Sequence, residues 1–413
     1  MRFVFVMYGW HLGGISTFCR NLSAGLRNRR HEVILLVIHH AGAHNSVPNE
    51  LFDQCVVLPR RVSRTGPFVA KVAQAIDRLK PDTLVVNASP YAMAALPYVY
   101  HSIIRTPVIH VPEEAGLALT NPQWWDRLIT VSEFVGESLR RQGFSERVSV
   151  CPLGVPLPSA RQEPRKRFQG PLRIVSASRI VVTQKRMDRL PAIAKMLAER
   201  KVDFHWTVLG DGAYLRELRH EMNRSGVNDR FSFKGSVCES TVTSIFRESD
   251  VFILVSDHEG LPQALLEAMA YGVVPVVSRI NGSTTCAVEH GKSGFLCDPS
   301  EPVQFVNAIT QLTGDHSLGA AMSARAAETI AQNFSLSAFT DRFLAIINEL
   351  RSLENRRAQP LSLAQARSAG KPFQCLGFWR CLRNQTFGQV KRWLVRKTLT
   401  ATMPEGGGLP PSI

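Results

Sequence analysis

The sequence predicts an α/β protein of two parallel-sheet domains, and three observations carry that expectation. Its 413 residues exceed what one hydrophobic core usually supports. Short, continuously apolar runs alternate with longer stretches of helical period, as strands covered by helices on both faces do. The alternation stops once, at 152–171, where PLGVPLPSARQEPRKRFQGP replaces the apolar pattern with Pro, Gly and charge. Such a stretch reads as a linker.

The first domain, 1–152, opens on a strand at Phe3–Met7. Its apolar start is broken by Tyr8, Gly9 and His11 and lacks a small-residue cleavage site, so a buried strand is expected and not a secretory leader. Further strands are expected at Val33–Ile38, Thr83–Val86, Val108–Val111, Leu128–Val131 and Val148–Cys151. Between them Ser16–Arg29, Phe68–Leu79, Tyr91–Ile104 and Ser132–Gln142 are long enough for helices. With 153–171 as the connecting segment, the second domain runs over 172–335. It has strands at Arg173–Ala177, Phe204–Leu209, Phe231–Phe233, Val251–Val255 and Gly294–Leu296, and helices at Asp188–Arg200 and Ala213–Asn223. A helix at 336–355 is expected to cross back to the first domain, and 356–413 to form a basic tail.

Composition narrows the class of protein. The longest aliphatic run near the start, Val33–Ile38, falls far short of the ~20 residues that span a bilayer. Eight cysteines at irregular intervals, without a CxxC pair, fit reduced thiols and a cytosolic location, not a disulfide framework or a metal centre. Of the net charge of +15, a share of +9 lies in 351–413, where 11 Lys and Arg face only Glu354 and Glu405. Within that segment, LGFWRCLRNQTFGQVKRWLVRK sets Trp379, Leu382, Val390, Trp393 and Leu394 among basic residues, with Gly377 and Gly388 as interruptions. This pattern suits an anionic membrane surface, peripheral to the inner face of the membrane, or packing against the body. No recognised motif supports nucleic acid as a partner.

Four stretches carry candidate chemistry. In HLGGIST, Gly13 and Gly14 stand between a strand and a helix, where backbone can approach a ligand closely and a helix start can face an anion. A plain tight turn is the alternative, and the absence of GxGxxG leaves a nicotinamide or flavin cofactor without support. In SASRIVVTQKRMD, Arg179 and Lys185 follow the first strand of the second domain, at the strand end where open α/β sheets bind ligands, and suit a diphosphate. In VLGDGAYL, Gly210, Asp211 and Gly212 fit either a wall for a nucleotide base or an ordinary βα turn.

The fourth stretch is SDHEGLPQALLEAMAYGVVPVVS. Here Gly260 suits a turn and Pro262 the first helical position, so Glu259 precedes a helix and Glu267 lies inside it. The neighbours of Glu267 at three and four residues are Gln263, Ala264, Ala270 and Tyr271, with no Lys or Arg among them. A buried unpaired carboxylate would be expensive, and ribose hydroxyls would satisfy it. The helix start at Gly260 and Leu261 would then face the phosphates of the same nucleotide.

On these residues the chain resembles the family-four retaining glycosyltransferases over roughly residues 1–350. Glu259–Glu267 matches their E-x7-E motif. The GG loop, GLRNRRHEV, DRLITVSEFV, PLGV, Arg179 with Lys185, GDG and HGKSGFL follow in the family's order. The resemblance implies a GT-B fold, retention at the anomeric carbon, no metal or other cofactor, a nucleoside-diphosphate sugar as donor and a glycan or lipid-linked acceptor. It assigns the transferred sugar to Glu259, the ribose to Glu267, the diphosphate to Arg179 and Lys185, and its oxygens to the backbone at Gly14, Gly260 and Leu261. Ser178 and Arg186 stand where the family has Gly, and Leu153-Gly154-Val155-Pro156 where it has Asn-Gly-Val-Asp. On the acceptor side VIHVPEEAG offers His110, Glu113 or Glu114. A nucleotide-sugar epimerase on a GT-B scaffold and a catalytically silent nucleotide-sugar-binding scaffold are the rival readings.

Overall fold

The computed structural model describes residues 1–10, 13–39, 49–59, 65–99, 103–114, 116, 122–158, 168 and 170–353. Most of the linker beyond Pro158 and the amphipathic tail segment lie outside the described residues. Seven parallel strands form the first sheet: β1 (Arg2–Met7), β2 (Glu32–His39), β3 (Gln54–Pro59), β4 (Thr83–Asn87), β5 (Ile104–Ile109), β6 (Leu128–Thr130) and β7 (Val148–Val150). Their order is β3-β2-β1-β4-β5-β6-β7. Helices α1 (Gly14–Asn28), α2 (Thr65–Leu79), α3 (Pro90–Ala95) and α4 (Glu133–Leu139) belong to this domain.

The second sheet has six strands: β8 (Leu172–Ala177), β9 (Phe204–Leu209), β10 (Phe231–Gly235), β11 (Val251–Leu254), β12 (Val274–Ser278) and β13 (Phe295–Cys297). They are ordered β10-β9-β8-β11-β12-β13 and again parallel. Its helices are α5 (Leu190–Glu199), α6 (Leu215–Arg224), α7 (Glu239–Glu248), α8 (Gln263–Ala270), α9 (Thr284–Ala287), α10 (Pro302–Gly314) and α11 (His316–Asn333). Among the described residues no helix is long and apolar enough to cross a membrane.

Four points of the sequence reading need correction. Strand β3 escaped the apolar pattern because it is an edge strand whose QCVVLP is only half-buried. The helix expected at Tyr91–Ile104 is short: α3 starts where Ser89 accepts the Ala92 N–H at its N-cap, and β5 already begins at Ile104. Strand β5, expected at Val108–Val111, holds Arg105 and Pro107 within a fully buried run. There the Arg105 guanidinium donates to the Val99 carbonyl, which offsets the burial of its charge. Finally, Pro262 is the extended N-cap of α8 and not its first helical residue.

The strand order of each sheet reverses once, between β1 and β4 and between β8 and β11. At such a point the connections leave on opposite faces, so a crevice opens beyond the carboxyl ends of the strands. The GG loop follows β1, and Asn87 ends β4. The Arg179 loop follows β8, and the Glu259 loop follows β11. The last helix, α12 (Leu336–Ser352), lies on the first domain, with Phe339 against Phe18 and Phe343 against Phe3. Both α12 rings are fully buried, each contributing about 2–3 kcal/mol of apolar burial. Gly25 permits the approach, since a Cβ there would fall 1.9 Å from Thr340 Oγ1.

Candidate active site

Two loops of the second domain are laced together at its carboxyl edge. Gln184, buried, accepts the Asp257 N–H on its carbonyl (3.0 Å) and donates Nε2 to the His258 carbonyl (3.2 Å). Beside it Lys185 Nζ lies 2.6 Å from Glu259 Oε1, which also accepts the Ser256 hydroxyl at 2.6 Å. Glu259 is only 4% exposed. Burial of that carboxylate is tolerable because a cation and a hydroxyl meet it. Lys185 thus touches Glu259 itself and keeps further N–H donors for a phosphate. Arg179 is exposed, its NH2 on Gln184 Oε1 at 2.7 Å, so a neutral amide steers the guanidinium without neutralising it.

Arg186 occupies the left-handed region, at φ +49°, which explains why glycine suits that position in the family. Its guanidinium pairs with Asp188 and Asp257, and Arg189 adds a second contact to Asp257 at 2.6 Å. These partners hold the strained backbone in place.

Glu267 is half-buried on α8 with Gln263 Nε2 on its Oε1 at 3.1 Å. Burial pushes its carboxyl up to about 7; nearby Arg20 and the Gln263 bond oppose the shift, and Glu239 adds to it. Gln263 Oε1 is buried with no hydrogen-bond partner among the described residues. A buried amide oxygen and a carboxyl side by side suit groups that donate hydroxyls.

The glycines separate into two kinds. A Cβ on Gly210 would meet the Ser178 carbonyl at 1.9 Å, and one on Gly260 the His110 carbonyl at 1.8 Å. Packing alone accounts for both. At Gly13 and Gly14 no protein atom of the described structure lies within 4 Å of the Cβ position. Both are exposed at the start of α1, which has no side-chain cap and no acid in its first turn. Open space and unsatisfied N–H groups at one place fit an anion. Leu261, by contrast, is buried beside Gly260.

On the first domain, His110 follows β5 and is buried. Its Nε2 lies 3.1 Å from Asn87 Oδ1, and its ring meets Phe18 edge-on at 5.0 Å. Burial lowers its pKa to about 3, so the imidazole is neutral. Glu114 accepts the His110 backbone N–H at 2.8 Å, and burial pushes its carboxyl up to about 7. Glu113 instead reaches across to His258, with Oε1 3.1 Å from Nε2. Of the three acceptor-side candidates, then, only the His110 ring combines a fixed partner with a second nitrogen that no described residue holds. Sequence reasoning missed Gln184, Ser256 and His258, whose roles arise from backbone contacts between loops far apart in the chain.

Two parallel α/β domains meeting at the carboxyl ends of their strands define the GT-B class. The Anabaena Alr3699/HepE structure in complex with UDP and glucose matches with a TM-score of 0.72 over 84% of this chain and 100% of that chain, at 18% identity. A Staphylococcus aureus TarM in complex with Fondaparinux, alpha-GlcNAc-glycerol and UDP matches at 0.69 over 84% of this chain and 99% of that chain, at 12% identity. Residues 12–158 match the family described as Glycosyltransferase Family 4, and residues 160–329 the one described as Glycosyl transferases group 1. The chain belongs to the family-four glycosyltransferases. The putative colanic acid biosynthesis glycosyltransferase WcaL of Salmonella typhimurium is 27% identical over 233 residues, 54% of this chain and 57% of that protein. The match thus spans little more than half the length of that curated relative.

Proposed function

We propose that the protein is a retaining glycosyltransferase of polysaccharide or glycolipid biosynthesis. It moves a sugar from a nucleoside-diphosphate sugar to a glycan or lipid-linked acceptor. The observation that carries this reading is the buried Lys185–Glu259–Ser256 cluster at the switch point of the second sheet, opposite the neutral His110 of the first. Glu259 accepts hydroxyls of the transferred sugar while Lys185 holds it in place. Glu267 takes the ribose. Arg179, the remaining Lys185 donors and the backbone N–H groups at Gly14, Gly260 and Leu261 stabilise charge as it grows on the departing diphosphate. The Gly210 turn supports this arrangement from behind, through its contact with Ser178. His110 offers its free ring nitrogen to a sugar hydroxyl.

The relatives' names agree with this class of reaction: WcaL is named for colanic acid biosynthesis, and the Alr3699/HepE structure holds UDP and glucose. A thermal-shift screen against nucleotide-sugars identifies the donor. With that donor, Glu267→Ala should weaken binding and Glu259→Ala should lower turnover; wild-type behaviour in both would sink the assignment. The basic segment 351–413 attaches this otherwise cytoplasmic enzyme to anionic membrane. Deletion after Arg351 should abolish sedimentation with phosphatidylserine-containing vesicles, and unchanged sedimentation removes the membrane role.

A further inference from the structure

We propose that Glu113 and His258 form a cross-cleft latch that positions the loop bearing Glu259 against the first domain. The proposal rests on the reading of Glu259 as the ligand of the donor sugar, and it makes both latch members positioning residues. Glu113 lies on the turn Pro112–Glu114 after β5, the neighbour of switch strand β4, and His258 on the loop after switch strand β11, so their 3.1 Å contact joins the carboxyl edges of the two sheets. Both side chains are largely shielded, at 21% and 26% exposure, which strengthens a charge-assisted contact over one in open water.

The backbone around His258 is tied to the second domain through Gln184, while its ring is tied to the first. One residue further on is Glu259, and after it Gly260 sits directly on the His110 carbonyl. Any opening of the cleft here must break the Glu113–His258 pair and separate Gly260 from His110. Among the described residues, other ties between the domains are the Phe134 N–H on the Gly282 carbonyl at 3.0 Å and Arg20 of α1 paired with Glu239 of α7. Neither touches the Glu259 loop.

The latch also responds to pH. His258 faces Glu113 from the first domain and Asp257 and Glu259 on its own loop. The nearby cations are engaged elsewhere, Lys185 with Glu259, and Arg186 and Arg189 with Asp257. Glu114 is turned onto the His110 backbone. The Glu113 hydrogen bond raises the His258 pKa against the opposing effect of burial. Burial would raise Glu113, but the hydrogen bond to His258, a backbone hydrogen bond and the charge of the imidazolium together outweigh it and hold that carboxyl low. The pair is therefore intact below the raised His258 pKa and is lost as pH rises through it.

Hydrogen exchange on the full chain without ligand, corrected for the chemical exchange rate, tests this. Between pH 6 and pH 9, protection of 256–262 should fall about fivefold while that of buried β12 stays constant, as expected for coupling near the weak end of the usual range. Glu113→Gln and His258→Asn should each show the low value at both pH values. Protection of 256–262 that is constant across this range in the wild type, or that keeps its pH response in a folded Glu113→Gln, overturns the proposal. If both variants melt early, the wild-type titration decides alone. With the donor from the thermal-shift screen, kcat/KM should carry an alkaline limb at the exchange midpoint, absent in Glu113→Gln. A protein without transferase activity but with the expected exchange response would fail the functional reading and keep the latch.

Discussion

Beyond β8 and β11 the second domain sets Lys185 against Glu259, and Arg186 and Arg189 against Asp257. Beyond β4 and β5 the first domain sets a neutral His110 against Asn87 under the ring of Phe18. The two edges share a parallel sheet and a switch point but differ in charge. A wall suited to a diphosphate needs cations that are held in place by partners such as a carboxylate. A wall that meets hydroxyls works best with neutral donors and acceptors, and burial alone delivers that for His110. The difference teaches that one topology can carry walls of different electrostatic character, because the chemistry is chosen by loop residues after the strands, not by the strands.

The largest expected effect breaks the charged wall. Glu259→Ala should lower kcat by about 10²- to 10³-fold, whereas His110→Ala on the neutral wall should cost about 10²-fold at most, both read by steady-state kinetics. Equal losses would erase the contrast. Next, Lys185→Met strands a buried carboxylate and should destabilise the fold by about 3 kcal/mol in denaturant unfolding. Asn87→Leu removes only a neutral hydrogen bond and should cost about 1 kcal/mol.

Glu267 gives a prediction with two signs. Its folded pKa of about 7 lies above the ordinary carboxylate value, so the ionised form is disfavoured on folding and stability falls as pH climbs from about 4.5 to 7. Glu267→Gln should therefore gain on the order of 1–2 kcal/mol at pH 7.5 while weakening nucleotide binding. Calorimetry at pH 5 and 7.5 checks the first part, since the gain should shrink to about a quarter at the lower pH. The smallest effect separates the glycines. Gly14→Ala meets open space and should leave stability within about 1 kcal/mol while weakening nucleotide affinity several-fold. Gly210→Ala drives a methyl into the Ser178 carbonyl, so it should unfold the turn first.

Strands buried on both faces were legible because apolar residues, many of them β-branched, fill them without interruption, as in Val33–Ile38 and Val251–Val255. Half-buried β3 was not, and neither was β5, where Arg105 and Pro107 disguise a buried strand whose charge is met by the Val99 carbonyl. At the site, Glu259 and Glu267 stood out as carboxylates bracketing a run of core residues. Gln184 and Ser256 gave no such signal, because an amide and a hydroxyl are ordinary loop residues until a distant loop supplies their partners.

By itself the sequence determined the two parallel-sheet α/β domains and singled out residue types suited to a nucleotide, since periodicity and local turn chemistry act over a few residues. Only the tertiary structure decided that Lys185 rests on Glu259, that His110 is buried and neutral, and that Glu113 bridges to His258. Those outcomes depend on which strand ends are brought together at the two switch points, and on the water that their meeting excludes. Short-range pattern carries neither.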